Sequence, residues 1–414
     1  MAELYEIKKD AERVILVGVQ MSEQDDTAES LEELRELAKT AGAETLDIIV
    51  QNRESVHPGT YIGKGKMEEV AARIRELEAD GIICDDELSP AQMKNLENYL
   101  DCKVMDRTML ILDIFAQHAV TREGKIQVEL AQLKYRQTRL IGMHGALSRL
   151  GGGIGTRGPG ESRLETDRRL IRSRIAQLGR ELAEVKKNRE VARNLRSKSP
   201  TPVFAIVGYT NAGKSTLLNY LTQAGVLSED MLFATLDPTT RNLKLASGEE
   251  ILLTDTVGFI RKLPHHLVDA FRSTLEEAKY SDMILHVVDA SNDDAEKQIH
   301  VVYETLRRLE ILDKPVITVF NKQDRIPGGR TIKDLKAERT VKLSAKTGEG
   351  VQELLSVIEE LLAERKILIE KVFGYQEAGK IQKIRKFGQL LEEEYREDGI
   401  YVKAYVPKEV FCAL

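Results

Sequence analysis

The sequence predicts an α/β protein in four parts. A small α/β domain covers 1–120, an antiparallel helical hairpin 121–196, a larger doubly wound α/β domain 201–364, and a short α+β domain 365–414. Three observations carry this prediction. The first 120 residues alternate apolar strand-like runs with segments of helical spacing. Apolar residues then recur every seven positions on both sides of a glycine-rich stretch. Finally, Val203–Val207 runs straight into Gly208-Tyr209-Thr210-Asn211-Ala212-Gly213-Lys214-Ser215 and a helical segment. Alternating strands and helices imply parallel sheets, and a strand feeding such a glycine loop implies a helix beginning at its end.

Composition sets the bounds. The chain has 414 residues, 42% hydrophobic and 31% charged, with a formal charge of -6, which suits several globular domains rather than one. Cys84, Cys102 and Cys412 lack metal-ligand spacing, and unpaired thiols suit a reducing compartment. The first residues carry no basic-then-apolar signal, and no apolar run is long enough to span a bilayer. A cytoplasmic protein without a membrane span is the expectation.

In the first domain, Arg13–Val19, Thr45–Val50, Gly81–Cys84 and Lys103–Met105 read as strands. Leu31, Leu34, Leu37 and Ala38 sit at helical spacing, a second helix covers Met67–Leu77, and a third follows Ser89-Pro90. Pro58–Lys66 is rich in glycine and lysine, but Lys66 precedes Met67 rather than a hydroxyl residue. It reads as a turn with a basic tip, not a phosphate site.

In the second part, Ile126, Leu133, Leu140 and Leu147 repeat every seven residues, and Leu164, Ile171, Leu178 and Val185 do the same. Two successive heptad helices fold back as an antiparallel hairpin. Lys134, Arg136, Arg139, Arg168, Arg169, Arg172 and Arg174 flank its thin seam. The connection over 151–160 holds six glycines in ten residues. It is either a loose linker or a pliable tip that enters a nucleic-acid crevice. Arg149, Arg157 and Arg163, with Gly151, Gly152 and Gly153, are the candidate RNA contacts, since guanidinium forks seek phosphates.

The third part carries the chemistry. Glycines in G-x-x-x-x-G-K-S turn backbone N–H groups onto phosphates at a helix N-terminus. Lys214 reaches the terminal phosphates and Ser215 ligates Mg2+. Phe233-Ala234-Thr235-Leu236-Asp237 and the following Thr239 and Thr240 form a loop suited to sensing the terminal phosphate, with one threonine completing the magnesium shell. Asp255-Thr256-Val257-Gly258 brings an acid near the metal and the Gly258 N–H to the terminal phosphate. Asn321-Lys322-Gln323-Asp324 discriminates the base: a carboxylate accepts from guanine N1–H and N2–H2 together, whereas adenine offers neither. Ser344-Ala345-Lys346 completes the base pocket. Together these predict a GTP/GDP site with Lys214, Thr235 and Gly258 in catalytic roles.

The phosphate loop, F-A-T-L-D-P-T-T-R, D-T-V-G-F-I, N-K-Q-D and S-A-K resemble the HflX family of translation-factor-related GTPases, as does G-G-G-I-G-T-R-G-P-G-E-S-R-L-E-T-D-R-R over 151–169. The resemblance implies a Ras-like P-loop GTPase domain and binding to the large ribosomal subunit and its RNA, with the hairpin near the peptidyl-transferase region. It also implies a role in splitting or rescuing stalled ribosomes under stress. By that comparison Thr235 is the magnesium threonine, while spacing alone leaves Thr239 and Thr240 as rivals. Phe259 stands where many GTPases place a water-orienting glutamine, so unaided turnover is expected to be slow, with the ribosome stimulating it. His265 and His266 are weak internal substitutes. Asn211 resembles the asparagine of GTPases that recruit K+. A monomer is expected. Large-subunit assembly or RNA remodelling is the runner-up function, and a protein-effector switch without RNA belongs to another class.

In the last part, Ile367–Val372 and Gly399–Val406 read as strands. Ile381, Ile384, Leu390 and Leu391 suggest partly helical structure between them.

Overall fold

The computed structural model describes residues 11–22, 25–147, 159–196, 201–222, 232–233, 236–262, 277–311, 313–326 and 332–412. The chain divides into two units. The first comprises Met1–Val185, Glu229–Asp237 and Ile260–Ser273; the second comprises Lys186–Ser228, Pro238–Phe259 and Thr274–Leu414.

The first unit contains β1 (Glu12–Gln20), α1 (Thr27–Thr40), β2 (Ala43–Asn52), α2 (Lys64–Leu77), β3 (Gly81–Cys84), α3 (Pro90–Leu100), β4 (Lys103–Asp106) and α4 (Arg107–His118). The strands form a parallel sheet in the order β2-β1-β3-β4. Parallel strands covered on both faces are apolar throughout, as Gly81-Ile82-Ile83-Cys84 is. Ile15, Val17, Ile82, Val70 and Leu96 meet in one of the unit's cores. Ser89 starts α3 with a capping box: its hydroxyl accepts from Gln92 N at 3.3 Å while the Gln92 amide oxygen accepts from Ser89 N at 2.8 Å. The expected turn at 58–66 contains Gly63, the N-cap of α2, whose N–H already donates to Gln51 Oε1 at 2.8 Å.

The hairpin follows as α5 (Arg122–Leu147) and α6 (Pro159–Arg196). Ile126, Leu130 and Leu133 of α5 pack on Ile175, Leu178 and Leu182 of α6. Glu129 accepts from Arg174 at 2.8 and 3.0 Å, and Arg122 lies 3.9 Å from Glu181. Earlier residues on one helix thus meet later ones on the other, an antiparallel arrangement. Pro159 and Gly160, expected in the tip, are the first residues of α6; Arg149, Gly151, Gly152, Gly153 and Arg157 lie outside the described residues. The division between the two units falls inside α6, between Val185 and Lys186.

The second unit holds β5 (Val203–Gly208), α7 (Lys214–Thr222), β6 (Thr239–Lys244), β7 (Glu250–Asp255), β8 (Met283–Asp289), α8 (Ala295–Arg308), β9 (Val316–Asn321), β10 (Arg339–Lys342) and α9 (Val351–Glu364). Its sheet runs β10-β9-β8-β5-β7-β6, with only β6 antiparallel. β5 is central, and Phe204 and Ile206 are fully buried in the core beneath the phosphate loop. Residues 365–414 build a second sheet, β11 (Lys366–Phe373), β12 (Gln389–Arg396) and β13 (Gly399–Pro407), ordered β11-β13-β12 and antiparallel. It packs on α10 (Ala378–Phe387) and α11 (Lys408–Phe411) through Ile369, Phe373, Ile381 and Ile384. Leu390 and Leu391, expected near helix, lie in β12.

Candidate nucleotide site

The phosphate loop leaves the buried end of β5 and turns into α7. Asn211 has φ +58° and Gly213 φ +93°. A Cβ on Gly213 would meet Asn321 Nδ2 at 2.3 Å, so that position needs glycine for both conformation and space. Tyr209 and Ala212 are buried, and Thr210 Oγ1 is buried with no hydrogen-bond partner among the described residues. Lys214 is almost fully buried and donates to Tyr209 O at 2.8 Å. Burial pushes its ammonium down to about 8, against the opposing pull of Asp255. Ser215 Oγ donates to Asp255 Oδ2 at 2.6 Å. That pairs a hydroxyl and a carboxylate at the start of the helix.

The DTVG segment begins at the end of β7. Thr256 Oγ1 donates to Ile206 O at 2.8 Å and Val257 is buried, which fixes the segment beside β5. Phe259 pairs with the phosphate loop: its N–H donates to Gly208 O at 3.0 Å and its carbonyl accepts from Thr210 N at 2.8 Å. The Phe259 side chain is buried.

The base-recognition residues are tied to the phosphate loop. Asn321, at the end of β9, donates to Ala212 O at 2.9 Å and accepts from Ala345 N at 2.9 Å. Lys322, in left-handed backbone at φ +62°, pairs with Asp289 Oδ2 at 2.8 Å. Gln323 Nε2 donates to Phe320 O at 3.1 Å. Ser344 Oγ donates to Asp324 Oδ1 at 2.6 Å. That bond holds the Asp324 carboxyl below the usual carboxylate range, so it is ionised and aimed as an acceptor. Lys346 is exposed. Asp289 escaped the sequence reading; its place at the carboxyl end of a central strand was the available signal.

Within the second unit the structure therefore joins Gly208–Ser215, Asp255–Gly258, Asn321–Asp324 and Ser344–Ala345 by direct bonds or chain continuity. The switch-loop residues are placed otherwise. Phe233, Leu236 and Asp237 belong to the first unit, and Ala234 and Thr235 lie outside the described residues, as do His265 and His266. Of the rival threonines, Thr240 shares a 2.9 Å hydrogen bond with Thr254, and Thr239 sits opposite Asp255 in the β6–β7 ladder.

Comparison with known sequences decides the family. Residues 28–116 match the model described as GTP-binding GTPase N-terminal, 118–196 the GTP-binding GTPase Middle Region, and 203–322 the 50S ribosome-binding GTPase. A GTPase HflX from Lacrimispora saccharolytica is 64% identical over 100% of this chain and 98% of its own length. The chain belongs to the HflX family of GTPases. A second GTPase HflX, from Caldanaerobacter subterraneus subsp. tengcongensis, is 50% identical over 98% of this chain and 93% of its own. A structure described as a GTP-binding protein from the hyperthermophilic archaeon Sulfolobus solfataricus in complex with GDP is 27% identical. It covers 84% of this chain and 98% of that one at a TM-score of 0.46. Membership of the family, with the matched GTPase segment over 203–322, makes the HflX-type chain a P-loop GTPase: it binds guanine nucleotide and hydrolyses GTP. Among its described residues no helix is long and apolar enough to cross a membrane.

Proposed function

We propose that this GTPase binds the large ribosomal subunit through its helical hairpin, and that GTP state governs binding and release during the splitting or rescue of stalled ribosomes. The observation that carries the reading is the hairpin itself. α6 bears eleven Lys and Arg against six Asp and Glu, on a helix whose apolar contacts form only a narrow seam. A basic rod of this kind matches a polyanion, and the adjoining GTPase segment fits a family described as ribosome-binding. Arg163 and the tip residues Arg149, Gly151, Gly152, Gly153 and Arg157 are the proposed RNA contacts. Arg139 is not among them, since Asp106 Oδ2 takes its NH2 at 2.7 Å and its guanidinium stacks 3.2 Å above the Tyr135 ring.

The GTPase site fits Mg2+. The Ser215 hydroxyl and Asp255 carboxylate are hard oxygen donors brought within 2.6 Å of each other, the chemistry magnesium selects. Bound there, the ion would neutralise charge on the phosphates. Thr235, or Thr239 beside Asp255, would complete its shell. The buried Thr210 hydroxyl would find its partner in a phosphate oxygen. Asn211 is the proposed neighbour of a K+ ion, and turnover in potassium against sodium buffer tests it. Phe259 has no group to orient water, so intrinsic hydrolysis is slow and the ribosome supplies what is missing. The protein works as a cytoplasmic monomer.

The deciding experiment is co-sedimentation of the full chain with purified large subunits over a salt series, with GDP or a non-hydrolysable GTP analogue. Binding should depend on the nucleotide and fall steeply with salt. Nucleotide-blind, salt-insensitive binding, or equal GTPase rates with and without subunits, would sink the proposal.

A further inference from the structure

The loop that aims Asp324 is closed on itself. Ser344 N donates to Glu349 O at 2.9 Å, and Ser344 O accepts from Gly348 N at 2.8 Å. Thr347 N donates to Ser344 Oγ at 3.2 Å, which leaves the single hydroxyl proton for Asp324 Oδ1, 2.6 Å away. The direction of the Asp324 carboxylate therefore depends on where the backbone N–H groups of Thr347 and Gly348 lie. Ser344 is fully buried, but Lys346, Thr347 and Glu349 are exposed, so the outer half of the loop packs few side chains of its own against the domain. The bonds that close the turn would survive its displacement. Something outside it has to fix its place.

That support comes from the helix that begins at the phosphates. Gly348 has φ +84°, and a Cβ there would overlap the phenol oxygen of Tyr220 and stand 2.5 Å from its Cζ and 2.8 Å from its Cε2. A residue without a side chain lets the ring lie against the apex of the loop. Tyr220 stands on α7, six residues beyond Lys214 and five beyond Ser215. Leu217 and Leu218 of the same helix are fully buried in the core, which makes α7 a fixed base for the ring. Beyond the apex, Val351 N donates to Gly348 O at 3.3 Å, and α9 begins. Tyr220 itself is 47% exposed. Its apolar ring serves the loop while its hydroxyl reaches water, the division of labour that suits tyrosine.

We propose that Tyr220 is a positioning residue for base selection: its ring props the apex of the 344–350 loop and, through Ser344, keeps Asp324 aimed at the edge of guanine. One helix then holds the phosphates at its start and the base pocket near its end. The inference rests on reading Asp324 as the acceptor for guanine N1–H and N2–H2, and on no ribosomal partner.

The test displaces a fluorescent GDP from the full chain with unlabelled GDP and with inosine diphosphate, whose base lacks the 2-amino group. The unmodified protein should prefer GDP, and Tyr220→Ala should lower that preference at least about threefold, since a loosely held acceptor discriminates less. Release of GDP and of a non-hydrolysable GTP analogue should quicken by the same factor, because the base is common to both. Tyr220→Phe keeps a ring against Gly348 and should retain the preference within about twofold. Tyr220→Gln, a good helix former without a ring, serves if Tyr220→Ala does not fold. In the nucleotide-free Tyr220→Ala protein, amide hydrogen exchange over 344–350 should be faster than in the unmodified one. An unchanged preference in the ringless variants overturns the proposal, even where the urea midpoint falls, because Tyr220 is then a packing residue only. Unchanged exchange over 344–350 overturns it as well. Equal binding of the two diphosphates by the unmodified protein is a different failure, since it removes the reading of Asp324 and the brace with it.

Discussion

At the carboxyl end of β4, Asp106 accepts from Leu88 N, Met109 N, Tyr135 OH and Arg139 NH2, all within its own unit. Beyond β3, Asp85 is gripped by Arg107 at 2.7 Å, Ser30 and Lys262. Beyond β9, Asp324 takes one hydroxyl, from Ser344, and is otherwise exposed. Both sheets are largely parallel and both set acids past the carboxyl ends of their strands, the usual ligand edge of such folds. Asp255 and Asp289 of the second sheet are also met, by Ser215 and Lys322. The difference rests on Asp324, which keeps an exposed carboxylate where Asp85 and Asp106 are surrounded by donors. Burial alone would push the Asp85 carboxyl up, but Arg107 and Lys262 outweigh it and hold it below the ordinary range. The lesson is that a ligand edge is recognised less by strand topology than by charge left for a visitor.

The sharpest way to break the comparison is to unsaturate the closed edge. Arg107 is 1% exposed and also pairs with Glu33 at 2.7 Å. Arg107→Met takes one of two cations from buried Asp85, leaving Lys262 and the Ser30 hydroxyl, and should cost about 3–5 kcal/mol of stability, read as a lowered urea midpoint. A loss under about 1 kcal/mol would show that the carboxylate was never dependent on this partner, and the contrast with Asp324 would fail.

The open edge predicts the opposite partition. Asp324→Asn removes an exposed charge, so the denaturation midpoint should hardly move. GTP affinity should fall by about 2–4 kcal/mol, since hydrogen bonds to a charged acceptor contribute about 1.5–3 kcal/mol each. The amide donor of the variant matches the second carbonyl of xanthine, so xanthosine triphosphate should bind at least as well as GTP. Titrating both nucleotides into the variant checks this; undiminished GTP binding would remove Asp324 from base recognition.

The two edges were unequally legible in the sequence. Phosphate and guanine impose fixed residue types at fixed spacing, so Gly208–Ser215 and Asn321–Asp324 could be read with the strands that deliver them. The closing of the first edge depends on pairs far apart in sequence, such as Arg107 with Ser30 or Thr121 with Asp237, and no local pattern announces them. α4 went unread because Met109-Leu110-Ile111-Leu112 is a short continuous apolar run, in which helix and strand periods look alike. β12 was missed because Glu392-Glu393-Glu394 has little strand preference; pairing with β13 along the sheet edge overrides it. Asp237 was read as part of a loop that senses the terminal phosphate; its bonds to Val120 and Thr121, at the start of α5, come from folding alone.

The smallest expected effect concerns a buried cation at the open edge. Lys214 has its ammonium pushed down to about 8 by burial, from an ordinary value near 10.5. A base with a lowered folded value binds fewer protons folded than unfolded between those limits. The nucleotide-free protein should therefore gain stability from this group as pH rises from about 8 to 10.5, and the penalty should be largest below 8. Phosphate oxygens beside Nζ favour the charged form and raise its value again, so binding takes up a proton wherever the free lysine is partly neutral. Calorimetric titration of GDP in buffers of different ionisation heat should show proton uptake approaching one at about pH 9 and near zero at pH 6.5, with affinity weakening above pH 8. The same uptake at both pH values would mean that Lys214 stays charged without nucleotide, and that the open edge, like the closed one, already satisfies its cation internally.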